Sequence, residues 1–187
     1  RRNRQVAIDD FTSAAHWLHD EGLSSPQSLA IFGGSNSGLL VAAALTQHPE
    51  RYCAALCIAP LADMLRYERF DHASKWRSEY GAIEDPEDFR ALYGYSPYHH
   101  VNNSACYPSA LFVTGGRDER CNPAHAMKMV ALLQDLPAQA NPVLLDYDKE
   151  RGHSATMPLS VRIEALTRRI AFLCREICLP FTQLEVL

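Results

Sequence analysis

The feature that most constrains this chain is an abrupt strand-to-helix junction. Leu29-Ala30-Ile31-Phe32 is a short apolar run; Gly33-Gly34-Ser35 follows, and residues 36–48 are apolar almost all round. A buried strand that turns at once into a buried helix needs small residues at the turn, because the two elements must approach closely. The run at 29–32 reads as a buried strand and the run at 52–59 as a second one, and those at 109–114 and 142–147 read as a third and a fourth strand. Helical periodicity marks residues 9–21, where Phe11, Ala14, Ala15 and Leu18 share one face, and residues 124–136 and 159–178. Strands alternating with helices predict βαβ units and a mostly parallel sheet, the α/β class. Residues 62–100 break the pattern with many charges, Trp76 and several tyrosines, and are expected to form short helices and loops between strands.

Length and composition set the remaining bounds. With 187 residues, 47% hydrophobic and 21% charged, the chain is long enough for one core and too apolar for disorder. A net charge of −4 gives no electrostatic reason to expect nucleic acid. The apolar stretch at 6–8 is too short for a secretion signal, and the run at 39–45 falls short of the ~18 residues a membrane span needs. Cysteines 53, 57, 106, 121, 174 and 178 form no C-x-x-C and have no histidine at zinc-finger spacing. They read as buried, reduced thiols of a cytoplasmic protein, and neither metal nor organic cofactor is expected.

The junction itself points to chemistry. A serine on a strained strand–helix turn is exposed at the sheet edge, and the helix start offers backbone N–H groups where an oxyanion would form. An ordinary glycine-rich βα turn is the alternative, and Ser37 stands where the nucleophile-elbow pattern has its second glycine. A serine hydroxyl needs an imidazole base oriented by a carboxylate. Asp118 follows the third predicted strand and His153 the fourth, so both emerge at the same sheet edge as Ser35. The order Ser…Asp…His is that of an α/β hydrolase. Glu119 and Asp148 are rival carboxylates; His48, His99 and His100 lack the strand-end context.

Residues 9–178 resemble the C-terminal part of the prolyl oligopeptidase (prolyl endopeptidase) family. The resemblance runs through DDF…AA, GGSNSGLLVAA, ADML, W…EYG, YSPYH, YPSALFVTGGRDER, NPVLLD and GH. It implies Ser35 as nucleophile, Asp118 as orienting carboxylate and His153 as general base, then acid, with the Asn36 backbone N–H as an oxyanion donor. It further implies Trp76 as a flat surface for proline, Tyr80, Leu61 and Cys121 as walls of that pocket, and Arg120 as donor to a substrate carbonyl. The expected partners are short proline-containing peptides, with no nucleic acid or membrane, and the expected parent enzyme is a monomer.

Departures from the family pattern are equally specific. Ser37 is tolerable only if its backbone avoids positive φ. Cys121 and Asn122 replace apolar β-branched residues, which reshapes the pocket wall or makes it thiol-reactive. Only about 34 residues precede Ser35, room for one helix and one strand. The whole of residues 1–187 is therefore expected to be part of a larger catalytic domain, an N-terminally incomplete α/β-hydrolase fold. Earlier strands, a second oxyanion donor and a β-propeller are expected upstream, and one sheet edge is expected to be uncovered. The alternatives to a proline-specific serine peptidase are a weakly active or inactive fragment, and a small-molecule esterase on the same scaffold.

Overall fold

The computed structural model describes residues 2–70, 72–153 and 157–178. Four strands, β1 (Ala30–Gly34), β2 (Ala54–Ile58), β3 (Ser109–Gly115) and β4 (Val143–Asp148), form a parallel sheet in the order β1-β2-β3-β4. The register pairs Ile31 with Ala55, Ala55 with Ala110 and Leu111 with Leu144. The helices are α1 (Arg4–Asp20), α2 (Asn36–Gln47), α3 (Arg77–Tyr80), α4 (Pro86–Tyr95), α5 (Ala124–Gln134) and α6 (Leu159–Glu176).

Residue alternation in the central strands decides the layering. Ala55, Cys57, Ala110 and Phe112 point to one face and join Val41, Leu45, Met129 and Leu133 of α2 and α5. Ala54, Leu56, Leu111 and Val113 point to the other and meet Phe172 of α6. With both faces covered, β2 and β3 need the unbroken apolar sequence they have. The flanking strands differ: Phe32 of β1 is 66% exposed, and Leu144, Leu145 and Tyr147 of β4 are exposed. An apolar groove between Phe11, Leu18, Leu29 and Phe32 runs beside β1. Among the described residues β1 and β4 are the two edges of the sheet.

Residues 62–100 fold into a satellite core of Leu61, Met64, Tyr67, Ala73, Tyr80, Leu92 and Tyr95 against Leu39 of α2. Asp85 caps α4 by accepting from the Glu87 and Asp88 amides, and the Arg2 guanidinium bridges Asp85, Glu87 and Asp88. Helix α1 begins at Arg4 rather than near residue 9, because its first turn is held by distant partners. Arg4 bonds Asn36 and Glu79, and Gln5 bonds Gln47.

The satellite is joined to the main core by a buried polar knot. His125 Nδ1 accepts the backbone N–H groups of Ala62 and Asp63, at 3.2 and 3.1 Å, and Phe70 packs edge-on against the ring. His125 is 1% exposed, and burial pushes its pKa down to about 4. Asp63, which burial alone would raise, is held below the ordinary carboxylate value by Lys128 and Arg66. An unfolded chain binds the imidazole proton near pH 6.5, whereas the folded chain holds it off until about pH 4. Between those values the unfolded state binds more protons, so stability falls as pH drops. The expected loss is about 3 kcal/mol over that window. His99, also lowered by burial, adds in the same direction, while the Asp63 contribution is lost only at lower pH still. Urea unfolding at stepped pH measures the slope. His125→Gln should flatten it, and an unchanged slope in that variant would place the effect elsewhere.

Candidate active site

Ser35 sits between the last residue of β1 and the first of α2 with φ 57° and ψ −121°, one of three non-glycine residues at positive φ among the described residues. That backbone is costly for a residue with a Cβ, of order 1–3 kcal/mol, and it lifts the side chain out of both the strand and the helix. The turn is pinned by Ser35 N–H donating to the Ile58 carbonyl at 2.8 Å. Gly33 makes the geometry possible: a Cβ there would lie 2.7 Å from the Ser37 carbonyl carbon and 2.9 Å from Val41 Cγ2. Ser37 itself has no positive φ, so its side chain is accommodated without strain.

Asp118 and His153 come together from the ends of β3 and β4. His153 Nδ1 lies 2.8 Å from Asp118 Oδ2 and 3.1 Å from Oδ1. The carboxylate is 3% exposed, and its Oδ1 also accepts the backbone N–H groups of Arg120 and Cys121, at 3.0 and 2.8 Å. These amides fix the carboxylate, which in turn holds the imidazole with a proton on Nδ1 and leaves Nε2 free to accept. The rival groups are engaged elsewhere: Glu119 pairs with His72, Asp148 faces Arg151, and His99 bonds Ser96 and lies near Asp63.

The Ser35 hydroxyl meets Cys121 Sγ at 3.8 Å, and no hydrogen bond joins it to His153 among the described residues. Catalytic hydrogen bonds often tighten only with substrate, so the contact with Cys121 defines a resting position of the hydroxyl. Cys121 is fully buried, and burial pushes its pKa up to about 12. Of the two alternatives, this burial favours a reshaped pocket wall over a thiol-reactive one. Iodoacetamide near neutral pH should modify exposed Cys106 and Cys178 and leave Cys121 untouched, read by peptide mass spectrometry. Early modification of Cys121 would contradict its burial.

The other predicted residues gather on the same side. Leu61, Tyr80 and Cys121 share the satellite core, with Trp76 half-buried against it. The Trp76 and Tyr80 rings meet edge to face at 6.2 Å, and Tyr80 meets Tyr67 likewise at 5.5 Å. Tyr80 is almost fully buried, and its hydroxyl donates to Asn36 Oδ1 at 2.9 Å. The Arg4 guanidinium bonds the same oxygen at 2.7 Å and lies over the Tyr80 ring at 4.6 Å. Asn36 is thus held by its side chain, while its N–H is one of the first, unpaired donors of α2. Arg120 is exposed on the loop between Asp118 and Cys121. Arg4 was missed in the sequence: a charged residue near the chain start gives no periodic signal of a partner 32 positions away.

A parallel sheet that carries a strained serine at one strand–helix turn and an Asp–His pair at later strand ends defines an α/β hydrolase. Residues 1–178 match the prolyl oligopeptidase family, and the chain belongs to that family. It is 38% identical over 173 residues to prolyl oligopeptidase ophP of Omphalotus olearius, covering 91% of this chain and 23% of that protein. It is also 38% identical over 163 residues to a prolyl endopeptidase of Dictyostelium discoideum, covering 86% and 21%. A solved prolyl endopeptidase structure superposes with a TM-score of 0.93 at 41% identity, over 96% of this chain and 26% of that one. Prolyl oligopeptidase B of Galerina marginata, bound to a 25-residue macrocyclization substrate, gives a TM-score of 0.90 at 31% identity, over 96% and 25%. The chain therefore spans about a quarter of the length of these relatives.

Proposed function

We propose that this chain carries the catalytic triad and proline pocket of a serine peptidase that hydrolyses short peptides on the carboxyl side of proline. The observation that carries the reading is the strained Ser35 turn beside the buried, amide-fixed Asp118–His153 pair. Solved relatives of Galerina marginata hold peptide substrates in variants that replace a serine, an aspartate or a histidine by alanine, which supports the same three residue types here.

In this reading Ser35 Oγ attacks the carbonyl carbon of the scissile peptide while His153 Nε2 takes its proton. Negative charge passes to the carbonyl oxygen, against the Asn36 N–H at the positive end of α2. Collapse of the adduct breaks the C–N bond, and His153 returns the proton to the leaving amine, which leaves an ester on Ser35. Water then attacks that ester and gives its proton to His153, and as the C–O bond to Ser35 breaks His153 passes that proton to Oγ, which restores the free hydroxyl. Asp118 stabilises the imidazolium throughout without taking a proton. Ser35, His153 and Asp118 carry these transfers, and the second oxyanion donor expected upstream would add to the Asn36 N–H.

The exposed part of Trp76 offers the flat surface on which a pyrrolidine ring packs, with Leu61, Tyr80 and Cys121 behind it and Arg120 as donor to a substrate carbonyl. Trp76→Ala should lower kcat/KM for a prolyl amide of the Z-Gly-Pro type by about 10–200-fold, the range for removing an apolar pocket contact. Hydrolysis of a simple acyl ester, which has no ring to place, should change little. Equal loss on both substrates would sink the proline assignment and leave a general acyl hydrolase. The six cysteines are free thiols, which supports a reducing, cytoplasmic setting.

A further inference from the structure

A pocket borders the Asp118–His153 pair, between the ends of β2 and β3, the loop at 151–153 and Arg169 of α6. It is a half-open pocket of about 490 Å³, lined by Ala59, Thr114, Arg151, Met157 and Arg169 together with Asp118 and His153. Ser35, Trp76 and Cys121 do not border it, so it is separate from the proline pocket described above.

Its chemistry is out of balance. Arg151 is only 9% exposed, yet its Nε and one terminal nitrogen are buried without a hydrogen-bond partner among the described residues. Its nearest carboxylate, Asp148, stands 3.8 Å from Nε, too far for a hydrogen bond. Arg169 Nε and Thr114 Oγ1 are likewise buried and unpartnered. Burial, and then the charge of Arg151, push the Arg169 pKa down, although Asp146 opposes the shift. Asp146 is itself paired with Arg168. Asp118, the acid in the lining, is already bonded to His153 and two amides. Water filling the space would satisfy donors, while the two neighbouring positive charges have only Asp148, at 3.8 Å, and Asp146, shared with Arg168, to offset them.

We infer that this cavity is an oxyanion-binding site, in which a carboxylate, sulfate or phosphate group bridges Arg151 and Arg169 and accepts from Thr114. Guanidinium pairs recognise such groups through parallel N–H bonds. The site would brace the loop that carries His153, because Arg151 lies two residues before it and its carbonyl accepts the Arg117 N–H at 2.9 Å. The fit is close: a Cβ on Gly115 would stand 2.7 Å from the Arg151 carbonyl carbon.

The test is thermal unfolding of the full chain with sodium sulfate, against sodium chloride at equal ionic strength. A saturable rise of about 3–6 °C is expected at ten times the dissociation constant. Arg169→Gln and Arg151→Gln should lose the saturable part and keep only the shallow, linear salt effect. Equal curves for wild type and Arg169→Gln would overturn the site. Should Arg151→Gln fail to fold, phenylglyoxal modification of wild type serves instead: sulfate should protect Arg151 and Arg169 but not exposed Arg162, and uniform modification would overturn the proposal. A capped peptide with a single glutamate is titrated in parallel. Saturation by the peptide below the sulfate range assigns a polypeptide carboxylate as occupant, saturation by sulfate alone assigns a free ion, and a response to neither contradicts the site.

Discussion

Asp118→Asn should slow acylation of Ser35 by about 10⁴-fold while leaving the fold intact, as the equivalent change does in serine proteases generally. The expectation follows from which atoms face each oxygen. Oδ1 accepts two backbone N–H groups, so an asparagine must keep its carbonyl oxygen there. Its amide nitrogen then replaces Oδ2 opposite His153 Nδ1 and donates to it. The imidazole must carry its proton on Nε2, the wrong tautomer for accepting a proton from Ser35. Shape and volume hardly change, so circular dichroism and melting temperature should stay close to wild type. The second-order rate of reaction with a fluorophosphonate is the readout. A loss of less than tenfold would mean that Asp118 is only a structural acceptor of the 120–121 turn.

The substrate-binding prediction differs in size because it removes packing rather than the base. Trp76 contributes one apolar surface, whereas Asp118 sets the protonation state on which every turnover depends. Together the two variants separate the pocket from the proton path. They also separate both from the pocket at Arg151, which Ser35, Trp76 and Cys121 do not border.

Much of this arrangement could be read from residue order. Ser35, Asp118 and His153 each follow a strand of a parallel sheet, and parallel strands place all such residues at one edge. The strained turn at Ser35 follows from a serine squeezed between Gly33-Gly34 and a helix that starts at once, and its positive φ is what the structure adds. Other features depended on partners far along the chain. The apolar run at 29–32 reads as a buried strand, yet β1 lies at a sheet edge with Phe32 66% exposed. An apolar run shows that a strand forms and not whether it has neighbours on both sides. Arg4 was absent from the reading of the site, since its link to Asn36 and Tyr80 exists only once α1 lies across α2. His125 looked like any helical histidine. Its burial comes from the turn at 59–63 folding back so that two amides meet its ring. Cys121 was judged by residue type alone, and its inertness required knowing that nothing but protein surrounds it.

The central claim is that Ser35 is the nucleophile, and covalent labelling tests it most directly. A fluorophosphonate probe forms a phosphorus–oxygen bond with an activated serine and expels fluoride, so it requires Ser35 Oγ, the base His153 and the oxyanion donor together. Incubation of the full chain followed by peptide mass spectrometry should find a single modified residue, Ser35, and Ser35→Ala should remove the label completely. Labelling that persists in Ser35→Ala, or that appears on another serine in the wild type, would contradict the account.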